Sequence, residues 1–259
     1  MCFDLDSRPP IPPIAGAAVD GALIRLKAAD GTEFSGFHAV PSTPSGAAML
    51  ILPDVRGLHP FYEELALRFA ENGVEALAVD YFGRTAGLVD DGSRGEEFDY
   101  QTHVGQIQYD TLLQDFRAGR DALTSRPGVG AVFSVGFCFG GRLSLLLASN
   151  ESMAMAGAIG FYAWPVGESR GGVPAPIDEV GNVRAPILGL FGGADQGITT
   201  DIVERYREAL ETAGKESEIV VYPGAPHSFF DRKAAEFADA STDAWRRVLD
   251  FVHRNTPQA

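Results

Sequence analysis

From Ala22 to Leu26, and again from Glu33 to Val40, apolar residues alternate with others, and Asp30-Gly31 lies between the two stretches. A period of two broken by an Asp-Gly turn predicts a β-hairpin. Ala47–Leu52 (AAMLIL) is instead a short continuous apolar run, the pattern of a strand covered on both faces. Phe61–Asn72 carries apolar residues at helical spacing and stops at Gly73; Ala76–Val79 is another apolar strand. A polar stretch with several glycines, Arg84–Glu97, leads into one long helical pattern from about Thr102 to Ser125. Val132–Val135 reads as a strand and Gly140–Ser149 as a helix. Ala156–Phe161, Pro186–Phe191 and Glu218–Tyr222 are three further strands, with helices near Thr200–Ala213 and Ala234–Arg254.

This alternation predicts an α/β fold: a mostly parallel sheet of about eight strands covered by helices on both faces, fronted by an antiparallel hairpin. No repeat or interdomain linker interrupts it. Residues 1–259 are therefore expected to form a single domain, with an irregular, proline-rich arm at 1–20.

Composition narrows the function classes. Hydrophobic residues make up 45% and charged residues 22%, which argues against disorder. Thirty-five acidic against 21 basic residues give a net charge of −14, and no basic patch offsets it. A partner with a phosphate backbone or an anionic lipid surface is not expected. No apolar run reaches the length of a membrane span, and MCFDLDSRPPIPP has neither the basic nor the apolar region of a secretory signal. Cys2 and Cys138 are the two cysteines. A reduced, cytoplasmic protein is the expectation, a monomer or a small homo-oligomer.

The sharpest chemical signal is Gly136-x-Cys138-x-Gly140-Gly141, set between an apolar strand and a helix. A nucleophile elbow has this form, with Cys in place of the usual Ser. Side chains two residues either side of the nucleophile would collide across so tight a bend, hence the glycines. The helix start offers free N–H groups and a positive dipole end to a thiolate. The bland alternative is a small buried cysteine at an ordinary turn.

A thiol nucleophile needs a base, and the base an orienting carboxylate, each on a loop after a later strand. Asp195, in Gly192-Gly193-Ala194-Asp195, and His227, in Pro226-His227-Ser228-Phe229-Phe230, meet those requirements in chain order. Asp195 is otherwise a turn or helix-cap residue. Among the other histidines, His59 is the serious rival, because it follows a central strand. The backbone N–H groups of Val55 and Phe139 are the expected oxyanion hole. Asp54 would lie near the thiol and modulate it, unless it is only a turn residue. Tyr81, Tyr162 and Trp164 follow strands on the ligand side and are candidate pocket residues, although aromatics there often only pack. No clustered His/Cys spacing suggests a metal.

These residues resemble the dienelactone hydrolases (carboxymethylenebutenolidases) of the α/β-hydrolase superfamily. The likeness runs from about residue 22 to 252 and includes the cysteine elbow, Asp80-Tyr-Phe-Gly-Arg84, Gly-Gly-Ala-Asp195 and Gly-Ala-Pro-His227-Ser-Phe-Phe. The resemblance implies an α/β-hydrolase fold, a Cys138-Asp195-His227 triad and no cofactor. It implies hydrolysis of a small enol-lactone or activated ester through a thioester. Two departures stand out. Asp54 occupies the place of a family Glu, and Asp231 the place of an arginine that binds the substrate carboxylate. Arg56 and Arg84 are candidate replacements as anion binders. A general carboxylesterase or thioesterase is the alternative within enzymes. A redox-sensing thiol protein, with Cys2 resolving an oxidised Cys138, is the alternative outside them.

Overall fold

The structure, a computed structural model, describes residues 7–17, 19–89, 94 and 98–257. Cys2 and most of the 90–97 stretch lie outside them, and with them the resolving-cysteine expectation. Eight strands form one sheet in the order β1-β2-β4-β3-β5-β6-β7-β8. β1 (Val19–Lys27) and β2 (Glu33–Pro41) are the predicted hairpin, each extended to nine residues. Its turn is closed by Asp30, whose Oδ1 accepts from the Thr32 N–H at 3.0 Å.

β3 (Ala47–Leu52), β4 (Glu75–Val79), β5 (Ala131–Phe137), β6 (Gly157–Phe161) and β7 (Ile187–Gly192) are buried at every position, as continuous apolar runs require. They run parallel, as does the half-buried edge strand β8 (Ser217–Tyr222). Right-handed crossovers put α1 (Pro60–Glu71), between β3 and β4, on one face. They put α4 (Tyr109–Thr124), α5 (Phe139–Leu147) and α6 (Thr200–Thr212) on the other. α7 (Ala238–Asn255) joins α1, Trp245 packing on Phe69 with ring centroids 4.8 Å apart. This is the predicted α/β-hydrolase arrangement. Because β3, β5, β7 and β8 are parallel, the loops that leave them emerge at one edge, where such sheets bind ligands.

Two helices differ from the sequence expectation by more than two residues. The helix expected over Thr102–Ser125 is two helices, α3 (Tyr100–Val104) and α4. The Asp99 side chain caps the first, and the chain turns at Gly105. The break lets the Ile107 carbonyl lie flush on Gly171, where a Cβ would overlap it. The C-terminal helix starts at Ala238 rather than Ala234. Residues 231–237 are turns instead, tied back by Asp231 N–H to the Ser228 carbonyl and Ala234 N–H to the Asp231 carbonyl. That tie-back buries Phe229, Phe230 and Asp231. A short helix, α2 (Gly83–Ala86), opens the polar stretch that begins at Arg84.

Candidate active site

Cys138 sits between β5 and α5 with φ 55° and ψ −112°, a backbone region that L-residues rarely occupy. The bend is locked: Cys138 N–H donates to the Phe161 carbonyl at 3.0 Å, and the Arg142 N–H to the Cys138 carbonyl at 3.1 Å. A Cβ on Gly136 would overlap the Gly140 carbonyl, and one on Gly140 would overlap the carbonyls of Leu52 and Pro53. The second overlap brings the 53–58 loop directly against the elbow. The first is the collision across the bend that the glycine spacing predicts.

Asp195 follows β7 and His227 follows β8. Their loops are flush because a Cβ on Gly192 would overlap the carbonyls of Ala225 and Pro226. Backbone bonds fasten the two loops, Gly193 N–H to the Tyr222 carbonyl at 2.8 Å and Ala194 N–H to that of Ala225 at 2.9 Å. Asp195 Oδ2 and His227 Nδ1 are 2.6 Å apart, and Asp195 Oδ1 accepts from Gly197 N–H at 2.9 Å and Ile198 N–H at 3.0 Å. Burial alone would raise the Asp195 carboxyl. The His227 ring and the two N–H groups outweigh it and hold the group below the usual carboxylate range. A fixed carboxylate on Nδ1 leaves Nε2 as the ring nitrogen that exchanges protons.

Cys138 and His227 line one cavity of about 410 Å³, walled by Phe139, Tyr162 and Trp164, with Arg142 and residues 168–170 completing it. Tyr162 is strained at φ 37°, and its ring lies 4.8 Å from that of His227. A larger cavity of about 660 Å³, lined by Asn72, Leu249 and His253 among others, lies at the opposite, amino end of the strands, away from Cys138 and His227. Among the described residues, no group of three or more His, Cys, Asp or Glu is arranged to hold a metal ion.

Other sequence candidates are distributed around this cavity. Phe139 is the first residue of α5, and Val55 is half-buried in the loop that abuts Gly140. Asp54 is fully buried and builds its own turn. Its Oδ1 accepts the Arg56 N–H at 2.9 Å, its Oδ2 lies 3.6 Å from the Arg56 guanidinium, and its carbonyl accepts the Tyr81 hydroxyl. Arg56 and Tyr81 are thus braces of the 53–58 loop and do not line the cavity. Neither does Arg84. Its guanidinium donates to both oxygens of Asp115, at 2.9 and 2.8 Å, and to Asp30 at 2.5 Å, so its anions are supplied from within the fold. His59, the rival base, precedes α1 away from the cavity wall, and burial together with the Arg56 charge lowers its pKa to about 4.

Sequence reading missed Arg142 and the 168–170 wall. A lone arginine in the otherwise apolar FGGRLSLLL was the available signal. It also missed the partner of Asp231, which accepts the Tyr162 hydroxyl at 2.7 Å beneath the cavity. Burial raises Asp231 to about 7, reinforced by the Asp54 charge and opposed by the bonds from Tyr162 and the Arg232 N–H. Between pH 4 and 7 the folded protein then holds a proton that the unfolded chain has released, so stability falls as pH rises through this window. Asp231→Asn is expected to flatten that fall, removing a loss on the order of a few kcal/mol by pH 8. Urea unfolding midpoints at pH 5 and 8 check it; an equal pH dependence in both proteins would refute it.

The comparisons with known proteins agree with one another. The model of the dienelactone hydrolase family matches residues 34–256. A protein of Methylorubrum extorquens named "Putative carboxymethylenebutenolidase" is 31% identical over 215 residues, covering 80% of this chain and 71% of its own. The carboxymethylenebutenolidase of Rhodococcus opacus is 27% identical, covering 98% of this chain and 97% of its own. A crystal structure titled "Putative Dienelactone Hydrolase" from Klebsiella pneumoniae superposes with a TM-score of 0.76 at 27% identity, over 91% of this chain and 99% of that one. By the family match over residues 34–256 and the likeness to these relatives, this chain belongs to the dienelactone hydrolase family and is a hydrolase.

Proposed function

We propose that this hydrolase cleaves enol-lactones or activated carboxylic esters through a Cys138-Asp195-His227 triad and a thioester acyl-enzyme. One observation carries the reading: a cysteine at a strained elbow shares a cavity with a histidine whose Nδ1 is held by a buried carboxylate at 2.6 Å. In the first half-reaction the Cys138 sulfur attacks the carbonyl carbon, and its proton passes to His227 Nε2. The N–H groups of Phe139 and Val55 receive the developing oxyanion, each worth about 3 kcal/mol. The carbon–oxygen bond to the leaving group breaks, and the enol or alcohol departs with the proton from His227. Water then gives its proton to His227 and attacks the thioester carbon. The carbon–sulfur bond breaks, which releases the acid and restores the thiol.

A thiolate is a better leaving group than an alkoxide, so the tetrahedral intermediate returns the thiol unless the oxygen leaving group is activated. Enol and aryl esters meet that condition, and amides do not. The protein, quenched during turnover of p-nitrophenyl acetate or an enol-lactone, is expected to carry an acyl mass on Cys138 that builds up and decays. Product release without any adduct on Cys138 would overturn the covalent mechanism. No turnover, with peroxide oxidising Cys138, would favour the redox alternative.

A further inference from the structure

Arg142 is 2% exposed, and the hydrogen bonds of its guanidinium all go to backbone carbonyls. It donates to the carbonyls of Trp164 at 3.5 Å, Val166 at 3.1 Å, Gly167 at 2.7 Å, Val173 at 3.2 Å and Pro174 at 2.9 Å. A guanidinium presents five N–H donors in a rigid fork. Here the fork joins the two ends of the segment 164–174, whose middle, Glu168, Ser169 and Arg170, walls the cavity. The segment has little regular structure of its own beyond the turn at 170–172. Burying a charge is costly unless every donor is satisfied. Removing the guanidinium would leave five inward-facing carbonyls short of donors, and they would turn to water.

The segment holds Trp164 in the wall of the cavity that Cys138 lines. That indole is 42% exposed, one of two large apolar side chains left so open among the described residues. From behind it is pressed by the Asp195 loop, since a Cβ on Gly197 would come within 2.8 Å of the ring. Tyr162 and Phe139 extend the same aromatic face. An open, fixed indole beside a nucleophile is a stacking surface.

We infer that Arg142 is a positioning residue that clasps the 164–174 wall and so gives the site a preference for flat, apolar acyl groups. This deepens the ester-hydrolase reading and rests on it. Arg142 touches no reacting atom. It acts through the place it gives to Trp164, and its loss loosens the wall.

Vinyl acetate and vinyl benzoate share a small enol leaving group and differ only in the acyl part. For Arg142→Met the KM for vinyl benzoate is expected to rise about tenfold and that for vinyl acetate by less than about threefold, with kcat changing less than KM. Arg142→Lys, which retains fewer donors, should fall between. In a Trp245→Phe background, where Trp164 is the remaining tryptophan, acrylamide quenching of Trp164 should increase in both variants. A proportionate loss on both esters, or unchanged quenching in a folded variant, overturns the inference. If Arg142→Met does not fold, Arg142→Lys decides it by the same ratio. Should the unaltered protein hydrolyse neither ester, the ester-hydrolase reading fails, and quenching still tests the clasp.

Discussion

Cys138→Ala is expected to lower kcat on activated esters by about ten-thousandfold or more, because the alanine methyl cannot form the acyl-enzyme on which both half-reactions depend. Melting temperature should change little, since Cys138 is half-exposed and alanine accepts the bend as poorly as cysteine does. The backbone N–H groups and the His227–Asp195 pair would remain in place. The acyl mass should disappear together with turnover. If Cys138→Ala kept even a tenth of the activity, the nucleophile would have to be sought elsewhere.

Asp195→Asn is the second large effect, with an expected loss of about a hundredfold to ten-thousandfold in kcat/KM. The asparagine oxygen can replace Oδ1 and keep the bonds from Gly197 and Ile198, so the loop should survive. The amide nitrogen would then face His227 Nδ1 as a donor. That moves the ring proton to Nε2, the nitrogen that must accept from the thiol. The carboxylate, held below its usual range, also contributes stability that is present above pH 4 and lost as pH falls through its folded value. The variant should lose that contribution. Measuring kcat/KM and urea midpoints on the same samples separates the two effects. A variant with full activity would show that orientation of His227 does not depend on Asp195.

The sheet was legible because strands buried on both faces read as unbroken apolar runs. Ala47–Leu52 keeps its predicted bounds, and the other parallel strands shift at their ends by two residues or fewer. The elbow was legible because Gly136 answers a local clash with Gly140 across Cys138, although Gly140 itself answers the distant carbonyls of Leu52 and Pro53. Helix limits were less so where tertiary contact decided them. Gly105 could have been tolerated inside a long helix, yet the approach of Gly171 to Ile107 favours the break.

The candidate pocket was harder. Arg56, Arg84 and Arg142 look alike in sequence as strand-end or helix-start arginines, and composition assigns none of them a partner. Two of their fates depend on residues far along the chain: Arg84 meets Asp115 and Asp30, and Arg142 reaches the 164–174 segment, while Arg56 turns back on its near neighbour Asp54. Asp231 differs from a solvated aspartate only because the turns of 231–237 fold it beneath Tyr162.

Sequence alone thus determined what rests on neighbours along the chain: the strand–helix alternation, the glycine elbow, and the chain order of Cys138, Asp195 and His227. Tertiary structure alone decided which arginine clasps a wall, which is taken up by Asp115 and Asp30, and how acidic Asp231 is. Hydrogen bonds and desolvation act over a few ångströms, and only the folded chain brings residues so distant in sequence within that reach.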